Sequence, residues 1–218
     1  MGENDCNLSE PQCDAKPMDP YGKEELIRFY DQRLSRFGDS PSALHWSPDG
    51  QRLRYGLLCD IAGDLSGLSV LDFGCGKGDL YHFLSERTDD LRYCGIDVNE
   101  GLVTLARKKY PGAEFLCVDI EETRLDRAFD VVLICGVFNL RIAGITESMR
   151  SCLRRLFPLC RKSLHLNAPS ADAPWKDIAL HYVDPERLLR FARKELAPSS
   201  VLNNSPVPDD LFLSVYRD

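Results

Sequence analysis

Residues 70–80, Val-Leu-Asp-Phe-Gly-Cys-Gly-Lys-Gly-Asp-Leu, constrain this chain more than any other stretch. An apolar run carrying one acid passes directly into glycines at 74, 76 and 78, and the amphipathic segment Leu80-Tyr81-His82-Phe83-Leu84 follows. This order reads as a buried strand, a turn whose backbone approaches a ligand closely, and a helix. The glycines are expected to remove every Cβ that would block a ligand lying across the turn. Their G-x-G-x-G spacing differs from the dinucleotide-binding G-x-G-x-x-G.

From Ser69 onward, strand and helix patterns alternate. Strands are expected at 70–73, 93–96, 114–118, 130–135 and 163–166. Helices are expected at 80–87, 101–110 (capped by Asn99), 145–156 and 185–196 (capped by Asp184). Regular alternation with continuously apolar strands predicts a parallel sheet covered on both faces. The tail departs from this rhythm: segments at 199–202 and 210–216, joined by Asn203-Asn204-Ser205-Pro206, read as a hairpin that adds an antiparallel edge strand. Two helices precede the core, at 23–36 and from the Ser47-Pro48-Asp49 cap to Gly63, and together they read as a lid. Residues 1–20, polar with three prolines, read as a flexible leader. The expected organisation is a single domain over 21–218, with a helical cap at 21–63 and a core at 69–218.

Composition narrows the function classes. At 218 residues the chain can bury a real core, and its net charge of −7 argues against a nucleic-acid partner. Nine cysteines, an odd number without a C-x-x-C pair, suggest reduced thiols in a cytoplasmic protein. No apolar run is long enough to span a bilayer, and the acids stand on separate strand ends, so neither a membrane nor a metal is expected.

In an open parallel sheet, ligands bind beyond the carboxyl ends of the strands. Asp97 closes the second strand about 20 residues after the glycine turn, where an acid can grip ribose hydroxyls; Val98 follows it. Asp119 ends the third strand, where its carboxylate or neighbouring backbone can receive an exocyclic adenine amine, with Ile120 against the ring. Cys135-Gly136-Val137-Phe138-Asn139 after the fourth strand would floor the pocket. The acids Asp72 and Asp79 would repel a pyrophosphate and suit a ligand bearing ammonium and sulfonium groups.

Val70–Gly78 resembles motif I of the class I S-adenosylmethionine-dependent methyltransferases. Asp97, Val118-Asp119-Ile120 and Phe129-Asp130-Val131-Val132 match that family's next three elements in order. The resemblance covers about residues 48–218 and is nearest to bacterial members of the small-molecule type. It implies an α/β, Rossmann-like three-layer sandwich with a mostly parallel seven-stranded sheet, last strand antiparallel, and S-adenosyl-L-methionine as cofactor. Expected cofactor contacts are Asp72, Gly74, Cys75, Gly76, Asp97, Val98, Asp119, Ile120 and Cys135. Arg54 joins them as a donor to the cofactor carboxylate, or else is a solvated helix charge. His165, His181 and Tyr182 are candidates for catalytic base, although a histidine at a strand end also serves as a structural hydrogen-bonder. Tyr30, Phe138, Asn139 and Trp175 are candidates for acceptor binding.

The expected function is methylation of a small-molecule acceptor at oxygen or nitrogen, by a monomer or homodimer. A nicotinamide-dependent oxidoreductase and a non-catalytic S-adenosylmethionine-binding module are the alternatives.

Overall fold

The computed structural model describes residues 18–203, 205 and 207–217. Residues 1–17 of the expected leader, with Cys6 and Cys13, lie outside the described residues. So do Asn204 and Pro206 of the expected hairpin joint.

Strands that carry apolar residues without alternation must be covered on both faces, and here they are. β1 (Ser69–Phe73), β2 (Arg92–Asp97), β3 (Glu114–Cys117), β4 (Phe129–Cys135), β5 (Cys160–Pro169), β6 (Val201–Asn203) and β7 (Asp210–Tyr216) form one sheet in the order β3-β2-β1-β4-β5-β7-β6. β1 pairs in parallel with β2 and β4, and β4 pairs in parallel with β5. β7 runs antiparallel to both β5 and β6. The antiparallel strand is therefore not the edge, as the tail pattern suggested. The first six residues of β7 are buried, whereas the three-residue β6 is partly exposed and takes the edge. A short, partly exposed edge strand leaves few free backbone groups for unwanted pairing.

The sheet faces divide the helices. α2 (Pro48–Ala62), α3 (Asp79–Ser85) and α4 (Glu100–Lys109) cover one face, where Tyr55, Leu58, Phe83 and Val103 pack with Val70 and Leu133. α5 (Ile145–Leu156) and α6 (Pro185–Glu195) cover the other, where Met149, Leu153, Leu188 and Phe191 pack with Leu71 and Phe73. Neighbouring residues of β1 thus serve opposite layers, as the two-residue strand period requires. α2 begins and ends as its signals predict, at Ser47 and Gly63, but it is a layer of the sandwich and no part of a lid.

The covering element is α1 (Pro20–Phe37), followed by a 3₁₀ turn at Pro41–Leu44. α1 starts three residues before its expected position because Asp19 caps it, accepting from Gly22 N at 2.8 Å. Met18 is buried against Gly22 and Gly144, so residues 18–20 belong to the folded body and not to a leader. Three contacts hold α1 across the carboxyl ends of β2 and β3. Lys23 ion-pairs with Asp119 and with Glu122, the latter at 2.9 Å. Asp31 accepts from Asn99 Nδ2 at 2.8 Å. Arg33 ties the helix to the 3₁₀ turn that follows it, donating to the carbonyl of Ser42.

Candidate active site

The strand order reverses between β1 and β4, and a cavity opens beyond their carboxyl ends, where ligands bind in sheets of this kind. Asp72, Gly74, Cys75 and Gly76 line one wall, and Asp97, Val98 and Asn99 a second. Asp119, Ile120 and Glu121 form the far end, and residues 135–138 the floor. α1 roofs it with Lys23, Leu26, Ile27 and Tyr30. The candidates Asp72, Gly74, Cys75, Gly76, Asp97, Val98, Asp119, Ile120 and Cys135 therefore converge on one space.

The glycine turn is shaped differently from the expectation. Gly74 holds φ +75°, and a Cβ there would lie 2.4 Å from Val137 Cγ2. At Gly76 a Cβ would meet Leu44, and at Gly78 it would meet Phe115 and Tyr110. The space beside the turn is filled by the protein's own side chains, so these glycines serve backbone conformation and close packing.

The turn also has little left to offer an anion. Gly74 N and Cys75 N both donate to Ile96 O, at 2.8 and 3.0 Å. Gly76 N donates to Asp97 Oδ2 at 2.8 Å, and Gly78 N to Cys75 O at 3.0 Å. A pyrophosphate site needs free amides pointing at it, and four of these are already used. Asp79 does not act as expected either. Lys77 at 2.6 Å and Lys109 at 3.2 Å neutralise it on the other side of the turn, away from the cavity.

Asp72 is the acid that faces the ligand space. It is buried and accepts from the Tyr93 hydroxyl at 2.6 Å. Its carboxyl is pushed up to about 7, by burial first and then by Asp97 and Asp79, against the downward pull of the Tyr93 bond. Burial likewise raises Asp97, opposed by hydrogen bonds from the backbone of Asn99, Gly76 and Val98. Each buried acid is short of positive charge.

A cationic adenosyl ligand fits this cavity. Glu121 Oε1 is a buried acceptor without a partner at the far end, while its Oε2 takes Ser148 Oγ at 2.8 Å. Asp119, by contrast, gives one oxygen to Lys23 and the other to Glu121 N at 2.8 Å. The Asp119 carboxylate is thus already occupied, which leaves the neighbouring backbone or the unpartnered Glu121 Oε1 to receive an adenine amine. The signal for Glu121 was the run of acids at 119, 121 and 122. Leu44 and Trp46, which line the same cavity, carried no such signal.

A second cavity adjoins the first. Tyr30, Leu44, Trp46 and Gly136 line both. Beyond them the second is walled by Asn139, Trp175 and Tyr182, and by Arg54 with Asp209 and Asp210. Tyr30, Asn139 and Trp175 thus share a chamber, as expected of acceptor-binding residues. Phe138 does not: it is buried in the floor of the first cavity, its ring 6.0 Å from that of Phe73.

Arg54 also departs from expectation. Its Nε stands 2.6 Å from Asp210 Oδ2 and its guanidinium lies over Trp46, so it lines the second cavity and is neither a cofactor ligand in the first nor a solvated charge.

Both histidines are consumed by structure. β5 extends to Pro169, which leaves His165 inside the sheet. There its ring nitrogens meet Ser163 and Ser214 hydroxyls at 2.8 Å, and burial lowers its pKa to about 4. His181 donates from Nδ1 to Phe138 O at 3.0 Å, which makes Nε2 the acceptor for Thr146 Oγ1 at 2.9 Å. Its pKa is lowered by burial, and neither histidine lines either cavity. Tyr182 does line the second cavity, with its hydroxyl accepting from Asp177 N at 2.7 Å. We therefore expect His181→Gln to keep kcat within about threefold, since a base contributes at least about a hundredfold. A hundredfold loss in a variant that still melts cooperatively would return His181 to the catalytic machinery.

Among the described residues no cluster of histidine, cysteine or acids has metal-binding geometry, and the seven described cysteines are free thiols. No described helix is long and apolar enough to cross a membrane.

Known proteins share this fold. A family model described as a methyltransferase domain matches residues 70–159. Malonyl-[acyl-carrier protein] O-methyltransferase of Acetivibrio thermocellus is 39% identical over 76 residues, which are 34% of this chain and 27% of that enzyme. The match thus spans about a quarter of that relative's length. Magnesium protoporphyrin IX methyltransferase of Synechocystis PCC 6803, solved with bound SAH, superposes with a TM-score of 0.62 at 17% identity, covering 90% of this chain and 100% of that one. The 1,6-didemethyltoxoflavin-N1-methyltransferase of Burkholderia thailandensis, with its substrate and S-adenosylhomocysteine, gives 0.62 at 16% identity, covering 93% and 92%. At those identities the superpositions speak for the fold. Residues 70–159 are thus similar to a methyltransferase domain, and the chain as a whole shares the fold of solved methyltransferases.

Proposed function

We propose that this chain methylates an oxygen or nitrogen of a small molecule seated in the second cavity. The observation that carries the proposal is the shared wall: Tyr30, Leu44, Trp46 and Gly136 border both spaces, so an acceptor in one meets a donor in the other. S-adenosyl-L-methionine held in the first cavity would supply a methyl group already activated for in-line displacement.

The residues around it hold and orient. Asp97 would take the ribose hydroxyls with the lone pairs its backbone donors leave free, and Asp72 would face the cationic groups. Glu121 would accept from the adenine amine. α1 excludes water from above. Such positioning can supply roughly 7–11 kcal/mol of the barrier. Tyr30, pushed up to about 12 chiefly by burial and further by Asp97, stays protonated near neutral pH and donates at the junction.

The free thiols among the described residues support a reducing, cytoplasmic setting, and the net charge of −7 argues against a nucleic-acid partner. Calorimetric titration with S-adenosylmethionine, S-adenosylhomocysteine and NAD tests the donor half. Binding of both adenosyl ligands, with none of NAD, is expected. The reverse would establish a nicotinamide enzyme. Binding without turnover on any acceptor would favour the non-catalytic module.

A further inference from the structure

We infer that the second cavity takes a flat aromatic acceptor without negative charge, stacked on Trp46. The inference rests on the two-cavity reading proposed above.

The walls are unusually rich in rings. Tyr30, His45, Trp46, Trp175 and Tyr182 all line this space, and Trp46 and Trp175 are the chain's two tryptophans. Trp46 is held in place. The Arg54 guanidinium sits 5.0 Å from its ring centroid, and a Cβ on Gly136 would fall 2.4 Å from its Cζ2. Gly136 therefore lets the indole rest on the backbone that leaves β4. A ring restrained in this way loses little freedom when a planar ligand stacks on it.

The charge of the walls selects further. Arg54 is the one lysine or arginine among the described lining residues, and it is already paired with Asp210 at 2.6 Å, the two side chains 19% and 3% exposed. Asp209 adds a second carboxylate. An acceptor bearing a carboxylate or phosphate would meet two acids and a neutralised arginine. Drawing Arg54 away would strand Asp210 as an uncompensated buried charge. A neutral ring meets no such penalty, and a cationic one gains from the aromatic faces. Asn139, in the same walls, has a buried Oδ1 without a partner, which an N–H or O–H on the acceptor's edge would satisfy.

The test uses the full chain saturated with S-adenosylhomocysteine and three calorimetric probes at pH 7.5: quinoline, its anionic analogue quinoline-2-carboxylate, and the non-planar cyclohexylmethanol. Quinoline is expected to bind at least about tenfold more tightly than either of the others. Trp46→Leu should weaken quinoline about tenfold, and Trp46→Phe should restore most of that loss. The inference is overturned if the carboxylate binds as well as quinoline, if Trp46→Leu leaves quinoline unaffected, or if no probe binds while S-adenosylhomocysteine does. Failure of S-adenosylhomocysteine itself to bind would fall on the proposed function. If Trp46→Leu loses the cofactor, the probe ratios on the unmodified chain decide.

Discussion

Replacing Asp97 by alanine is expected to weaken S-adenosylhomocysteine binding at least about a hundredfold, equivalent to about 2.7 kcal/mol. The size follows from what this one carboxylate holds. Its Oδ2 accepts from Gly76 N at 2.8 Å and its Oδ1 from Asn99 N at 2.9 Å, so it fastens the glycine turn to the start of α4. Hydrogen bonds to an ionised partner are worth about 1.5–3 kcal/mol each, and a donor left buried and unsatisfied costs about as much. The variant therefore loses the ribose grip and frees the turn that shapes the cavity. Asp97→Asn, which keeps one acceptor, should fall between the two. Isothermal titration reads the result directly, and near-normal affinity in the alanine variant would contradict the ribose assignment.

Asp72→Asn is expected to stabilise the ligand-free protein while weakening cofactor binding. The folded-state carboxyl titrates near 7, above its value in the unfolded chain. Between about pH 4 and 7 the folded form holds a proton that the unfolded form has released. Folding stability from this group is thus full at low pH, falls as pH rises through that window, and is lost above 7. At pH 8 the asparagine variant should gain about 1–4 kcal/mol, the upper end being the roughly three-unit shift converted at about 1.4 kcal/mol per unit. Binding should move the other way. An ammonium or sulfonium needs the ionised carboxylate, so wild-type affinity for S-adenosylmethionine should decline as pH falls from 8 to 6. The variant should be weak throughout, without the component centred near 7. Thermal melts at pH 5 and 8 with matched titrations test both halves. A variant no more stable than wild type at pH 8 would remove the argument. Such opposition between stability and function is common where a site is built around a buried charge.

The donor half of the site was legible in the chain because each of its parts is local. Strand, glycine turn and helix are contiguous from 69 to 85, and Asp97 closes the next strand within about 20 residues of the turn. Sheet formation brings strand ends together in a way the period of the pattern already implies. Two of the errors share one cause, a partner distant in sequence. His165 looked accessible at a strand end, but β7 inserts beside β5 and presents Ser214, 49 residues later. Arg54 looked free on its helix until Asp210 arrived from the start of β7. Asp79 looked like a ligand-facing acid beside the turn, but the neighbouring Lys77 and Lys109 from α4 both pair with it.

The sequence by itself thus determined the fold class, which follows from hydrophobic period, and acids placed at strand ends with the resemblance of motif I pointed to the proposed adenosyl cofactor. Only the tertiary structure decided the acceptor side. Tyr30, Trp46, Gly136 and Asp210 come from a covering helix, a loop, the end of one strand and the start of another. No periodicity links such residues. Packing alone sets whether a charge among them meets a ligand or an opposite charge.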